Sequence, residues 1–207
     1  MTKWRLLHDR SGSGAAEFAL VLPLLILLLF GIIDSGRWMW AYNRAEKATQ
    51  AGARVAVVTQ IIPGGIAVSW VGQSINGVYL TQGDVIPASA LGTISCTKPS
   101  GVLACACTGA CPFGVAPINS TGWNAIVGRM KFMYPPITDA NVEVRYSGSG
   151  LGYAGDPNGT DISPLVEVRL KDLNFTPITF LMLKSVQAIP AAHTTLTAED
   201  LLGIQSN

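Results

Sequence analysis

Glu17 is the one charged residue in a nineteen-residue apolar stretch from Ala15 to Ile33, which reads AAEFALVLPLLILLLFGII. A carboxylate in such a place costs a few kcal/mol on insertion scales, and acids of this kind are candidates for function. Two readings follow from the residues. In one, Glu17 lies a turn from the membrane interface and reaches back to headgroups and water. In the other, the chain is cut between Gly12 and Ser13, so that Glu17 becomes the fifth residue of the new chain and Phe18 the sixth. An α-amino group is cationic at neutral pH. A carboxylate one turn or one subunit away would neutralise it inside lipid or a packed helical bundle.

The second concentration of reactive side chains is Cys96, Cys105, Cys107 and Cys111, four thiols within sixteen residues. Outside the cytoplasm such a cluster reads as disulfides. Spacings of eight, one and three intervening residues lack the paired C-x-x-C form of a zinc ribbon, so no metal site is expected. Cys96 is expected to pair with Cys105 or Cys111, and the tight Cys105–Cys107 ring is disfavoured. Asp156-Pro-Asn158-Gly-Thr160-Asp161, with Glu167 twelfth from Asp156, has calcium-loop spacing but no Gly in the sixth position, and reads as a turn with Glu167 in a strand.

Nothing marks an enzyme. His8 and His193 are the two histidines, no motif singles out a nucleophile, and no Gly-rich phosphate loop with its Lys is present. No cofactor is expected. Charged residues make up 13% of the 207, with a formal net charge of +1, against about 25% in ordinary soluble domains. A disordered polar chain and a basic nucleic-acid binder both need charge in excess, so both are excluded. The stretches Asn119-Ser-Thr121 and Asn158-Gly-Thr160 fit glycosylation sequons.

These groups need elements to position them. As a helix, the apolar stretch would cover roughly 30 Å, the hydrocarbon thickness of a bilayer. Lys3, Arg5 and Arg10 precede it against Asp9 alone, whereas Asp34 and Arg37 just beyond it cancel. The positive flank is expected to stay cytoplasmic, with the C-terminal bulk outside. A cleaved secretory signal has a shorter apolar core ending at a small-x-small site; this run is longer and meets no such site. The helical pattern then continues through Trp38, Ala41, Tyr42, Ala45, Ala48, Gly52, Val55 and Val58 until Pro63-Gly64-Gly65 breaks it. That second half is expected to bury its apolar stripe against the chain's own sheet.

The sheet is announced by two alternating segments, residues 141–146 and 165–170. Setting Val144 opposite Val168 puts Glu143 across from Arg169 and Arg145 across from Glu167, which favours an antiparallel register. A third strand is expected at 194–198. Ser147 to Ser163, rich in Gly, Asn, Asp and Pro, is expected to form a long exposed loop. The organisation read from the chain is a 1–12 cytoplasmic leader, a 13–34 transmembrane helix, its periplasmic continuation over 35–60, and an extracytoplasmic domain over 61–207 with its Cys-rich loop at 96–111.

Gly12-Ser-Gly-Ala-Ala-Glu17-Phe18 and the apolar run to Pro23, continuing through Phe30-Gly-Ile-Ile-Asp34-Ser-Gly36-Arg37, closely resemble TadE-like proteins. These are the pseudopilins, or minor pilins, of the tight-adherence (Flp) pilus system. Arg44 to Val55, ending in Gly52-Ala53-Arg54, is similar to the family's alanine-rich helix. Thr176-Pro177-Ile-Thr179 and Thr195 to Ala198 are similar to its last loop and strand. The resemblance implies an α+β, pilin-like fold, with a long N-terminal helix on a small antiparallel sheet. It implies cleavage after Gly12, leaving Ser13 first, and a docking and N-terminus-neutralising role for Glu17. The partners it implies are the prepilin peptidase, the major Flp pilin, a second TadE-like pseudopilin, the inner-membrane assembly platform and the lipid bilayer. The site implied is the bacterial inner membrane or the pilus. An unprocessed, membrane-anchored periplasmic scaffold or binding module is the alternative.

Overall fold

A computed structural model describes residues 13–179 and 186–203 of the chain. Its elements, in order, begin with helix α1 (Ser13–Ala56), followed by short strands β1 (Ser74–Ile75) and β2 (Val78–Tyr79). Next come β3 (Thr93–Thr97), β4 (Ala104–Thr108) and helix α2 (Ser120–Met133). The chain closes with β5 (Val142–Ser147), β6 (Leu165–Leu170), β7 (Leu173–Phe175), β8 (Gln187–Ile189) and β9 (Ala192–Thr197). The class is α+β, as expected. Described residues up to Ala41, with 174–179 and 186–187, form one compact unit; 42–173 and 188–203 form the other.

The first unit is dominated by the apolar half of α1. The helix runs through Pro23 without interruption. Most of its large side chains are uncovered among the described residues: Leu20 is 73% exposed, and Phe18, Leu24, Leu28 and Ile32 are comparably open, while Leu22, Ile26 and Phe30 are half-buried. A helix apolar on all sides belongs in lipid or among other helices. This one is long and apolar enough to cross a membrane.

The second unit is built on a five-stranded antiparallel sheet in the order β4-β3-β5-β6-β9. Val144 lies opposite Val168, Glu143 opposite Arg169 and Arg145 opposite Glu167, the register expected from alternation. One face carries Val142, Val144, Tyr146, Val166, Val168 and Leu170, all buried. Burial of that many branched and aromatic side chains on one face is what pins the register, since a one-residue slip would expose them all. On the other face one of the expected cross-strand ion pairs forms, Arg145 Nη1 lying 3.9 Å from Glu167 Oε2, and the remaining charges pair along their own strands or with neighbours. Glu143 accepts from the Ser95 hydroxyl at 2.5 Å and from Arg145 Nε at 2.8 Å, while Arg169 approaches Glu167 at 3.7 Å. Burial pushes the Glu143 carboxyl up, but the Ser95 hydroxyl, Arg145 and Lys171 outweigh it and hold it below its ordinary value.

One expectation is corrected. The 147–163 segment is not exposed throughout: Ala154, Asp161 and Ile162 are buried. Asp161 draws the segment inward by accepting from the backbone N–H of Trp70 at 2.6 Å, of Gly155 at 2.8 Å and of Asp156 at 3.1 Å. Residues 120–133 form a helix that the sequence analysis did not anticipate. Asn119 caps it, its side-chain oxygen accepting from the N–H of Thr121 and Gly122.

Candidate functional site

Within the second unit, the second half of α1 buries Ala45, Ala48, Ala53 and Ala56. Small residues recurring at three- and four-residue spacing let a helix approach its neighbours closely. The closest approach is at Gly52. A Cβ built there would lie 2.7 Å from Met130 Cγ, 2.8 Å from Met130 Sδ and 3.3 Å from Val168 Cγ1. Gly52 therefore marks where α1, α2 and β6 converge, and a hydrogen atom is the only side chain that leaves Met130 in place. Nearby, the Thr49 and Thr194 hydroxyls hydrogen-bond at 3.0 Å, tying α1 to β9. Arg44 donates to the Met133 carbonyl from Nε at 3.1 Å and Nη2 at 2.5 Å, which satisfies a carbonyl in the last turn of α2.

Within the first unit, the end of the apolar run carries a pin. Asp34 accepts the backbone N–H of Ile178 at 2.7 Å, the N–H of Thr179 at 2.9 Å and the Thr179 hydroxyl at 2.9 Å. Arg37, one turn on, donates to the same carboxylate at 2.9 Å, and its guanidinium lies 5.2 Å from the Phe175 ring centroid. Thus Asp34-Ser-Gly36-Arg37 and Thr176-Pro177-Ile-Thr179, separated by well over a hundred residues of chain, are brought together. Sequence reasoning saw both stretches and did not join them. An acid just past an apolar helix, and a Pro loop with free N–H groups, were the available signals.

The four cysteines form two disulfides, Cys96–Cys105 and Cys107–Cys111. The first joins directly opposed residues of β3 and β4, and Cys96 is fully buried. The second fastens the chain leaving β4. Strand β4, with alternating Ala and Cys, has little side chain with which to hold its place at the sheet edge, and the covalent links supply that hold. Glu17 and Phe18 lie in the first turns of α1, and Phe18 is 63% exposed. Gly12 lies outside the described residues, and Ser13 is the first residue of the helix.

Among the described residues, no group of three or more His, Cys, Asp or Glu side chains is arranged to hold a metal ion. The arrangement as a whole is suited to packing. The first unit offers an exposed apolar helix with a carboxylate near its start and a polar pin at its end, and the second a disulfide-linked sheet.

Residues 12–54 match the family model of TadE-like proteins. No curated protein and no solved structure is significantly similar to the chain. The helix that holds Glu17, Asp34 and Gly52 is therefore similar, over residues 12–54, to the TadE-like family.

Proposed function

We infer that the protein is a bitopic TadE-like pseudopilin, or minor pilin, that takes part in assembling the tight-adherence pilus through helix–helix packing rather than catalysis. The observation that carries this reading is the apolar half of α1, which exposes Phe18, Leu20, Leu24, Leu28 and Ile32 and bears a single acid, in the segment that matches the family. Lys3, Arg5 and Arg10 support a cytoplasmic N-terminus, and the two disulfides support an oxidising compartment for the sheet. On this reading Gly12 and Ser13 flank the cut made by a prepilin peptidase. Glu17 then neutralises the new α-amino group, its own or that of a neighbouring subunit, and Phe18 packs beside it. The helix partners are the major Flp pilin, a second TadE-like pseudopilin and the inner-membrane platform.

Sequencing the mature N-terminus from membrane fractions tests the reading. A chain beginning at Ser13, a larger product from Gly12→Ala, and a Glu17→Ala variant that is cut yet fails to assemble are the expected results. A Gly12→Ala chain of unchanged size and undiminished assembly would point instead to an unprocessed, membrane-anchored scaffold.

A further inference from the structure

In the second unit, α1 and α2 flank a groove of about 430 Å³. Ala51 and Val55 of α1 and Met133 of α2 form its apolar lining, and Lys47, Arg54 and Arg129 supply its charge. No acid lines it. This is unusual for the chain. The other described cations each have an acceptor: Arg37 has Asp34, Arg44 has the Met133 carbonyl, Lys98 and Lys131 share Asp139, Arg145 and Lys171 share Glu143, and Arg169 has Glu167. Among the described residues, the three cations with no carboxylate or carbonyl partner all face one cavity. All three are exposed. Next to them, Phe132 is 75% exposed, with the Arg129 guanidinium 5.5 Å from its ring centroid.

We propose that this groove binds an acidic, amphipathic helical segment of a partner protein. Lys47 and Arg54 are seven residues apart on one helix, which sets them about 10 Å apart along the same face. Carboxylates two turns apart on an incoming helix would meet both, and a third acid would reach Arg129. Apolar residues between those acids would cover Ala51, Val55 and Met133 and shelter Phe132. A free phosphate or a lipid headgroup would satisfy the charge but leave the apolar lining and Phe132 open to water, so the combination favours a peptide. Paired opposite charge across such a surface gives specificity and speeds encounter. This inference does not depend on cleavage after Gly12 or on the pilus reading.

The test uses the full chain in phosphatidylcholine nanodiscs and a fluorescent helical peptide with Glu at i, i+3 and i+7 and Leu between them. A peptide with Gln in place of Glu is the control. Fluorescence anisotropy should show the Glu peptide binding at least about tenfold more tightly than the Gln peptide, with affinity falling as salt rises. Lys47→Gln, Arg54→Gln and Arg129→Gln together should weaken it about tenfold or more, and Phe132→Ser should weaken it with all charges in place. An unchanged thermal midpoint checks that these variants fold. Arg129→Gln alone, on the open face of α2, serves if the triple variant does not, and should weaken binding a few-fold. Equal binding of the Gln peptide, or undiminished binding by the charge variants, would overturn the proposal. So would displacement of the peptide by inorganic phosphate, which would mark a simple anion site, or by phosphatidylglycerol vesicles, which would mark a lipid site.

Discussion

Gly52→Ala adds one methyl group to a space that Met130 already fills. The new Cβ would sit 2.7 and 2.8 Å from Met130 Cγ and Sδ, where ordinary contact begins near 3.4 Å. Met130 is fully buried and would have to withdraw by more than half an ångström. Overpacking of this kind costs about 1–3 kcal/mol. Against it stands the helix propensity gained on replacing Gly by Ala in a helix interior, about 1 kcal/mol. The net is a destabilisation of about 1 kcal/mol. The sign should reverse once the obstacle is removed. Met130→Ala alone costs about 2–5 kcal/mol as a cavity mutation. Adding Gly52→Ala in that background should recover about 1 kcal/mol, because the propensity gain remains and only the 3.3 Å contact with Val168 still resists. Denaturant titration of the four chains, followed by the fluorescence of buried Trp70 and Trp123, gives the cycle. An equal effect of Gly52→Ala in both backgrounds would refute the close approach as the reason for glycine at this position.

Asp34→Ala removes the acceptor of two N–H groups and one hydroxyl, so hydrogen-exchange protection of the Ile178 and Thr179 amides should fall about tenfold or more while β5 and β6 are unaffected. Unchanged exchange at both amides would show the pin to be dispensable. Glu143 is held below its ordinary 4.5, so the stability linked to its charge is present above that value and lost as pH falls through the lowered folded-state value. Glu143→Gln should therefore flatten the acid limb of a melting profile between about pH 3 and about pH 6; superimposable profiles would contradict this. Peptide mapping without reduction should recover Cys96 linked to Cys105 and Cys107 linked to Cys111, and a Cys96–Cys111 peptide would sink the assignment. Replacing Cys96 and Cys105 together by Ser should cost about 2–3 kcal/mol by freeing the unfolded chain, read as a lower denaturation midpoint.

The parts of the fold that can be read from the chain are those where periodicity and burial agree. Val-Glu-Val-Arg in β5 and β6 alternates so cleanly that strand, face and partner register all follow. The long helix is equally plain, since the apolar run and the three-to-four-residue spacing after it outweigh Pro23 and the scattered glycines between 13 and 56. Helix α2 is obscured by its own composition. Gly122 and Gly128 weaken its propensity, and Asn119 reads as a sequon although its side chain is a cap. The spacing of Trp123, Ile126, Val127 and Met130 was the signal that could have found it. Strand β4 is hidden because Ala and Cys alternate with too little contrast in hydrophobicity. The Asp34 pin left only indirect signals, the acid past the apolar run and the Pro177 loop, because a carboxylate meeting backbone N–H groups leaves no trace in the side chains of the residues that donate. The basic groove is dispersed in the same way: Lys47, Arg54 and Arg129 become one surface only when two helices are laid side by side.

The hydrogen bond between Thr49 and Thr194 spans 145 positions of the chain. As the ribosome delivers the polypeptide, the alanine face of α1 emerges well before its cover on β9. That face has to be kept from premature association until β9 arrives to cover it. Pairings so distant in sequence close slowly. A shortage of such protection would therefore show as aggregation of newly made chains, well before it showed as any loss of stability in the finished protein.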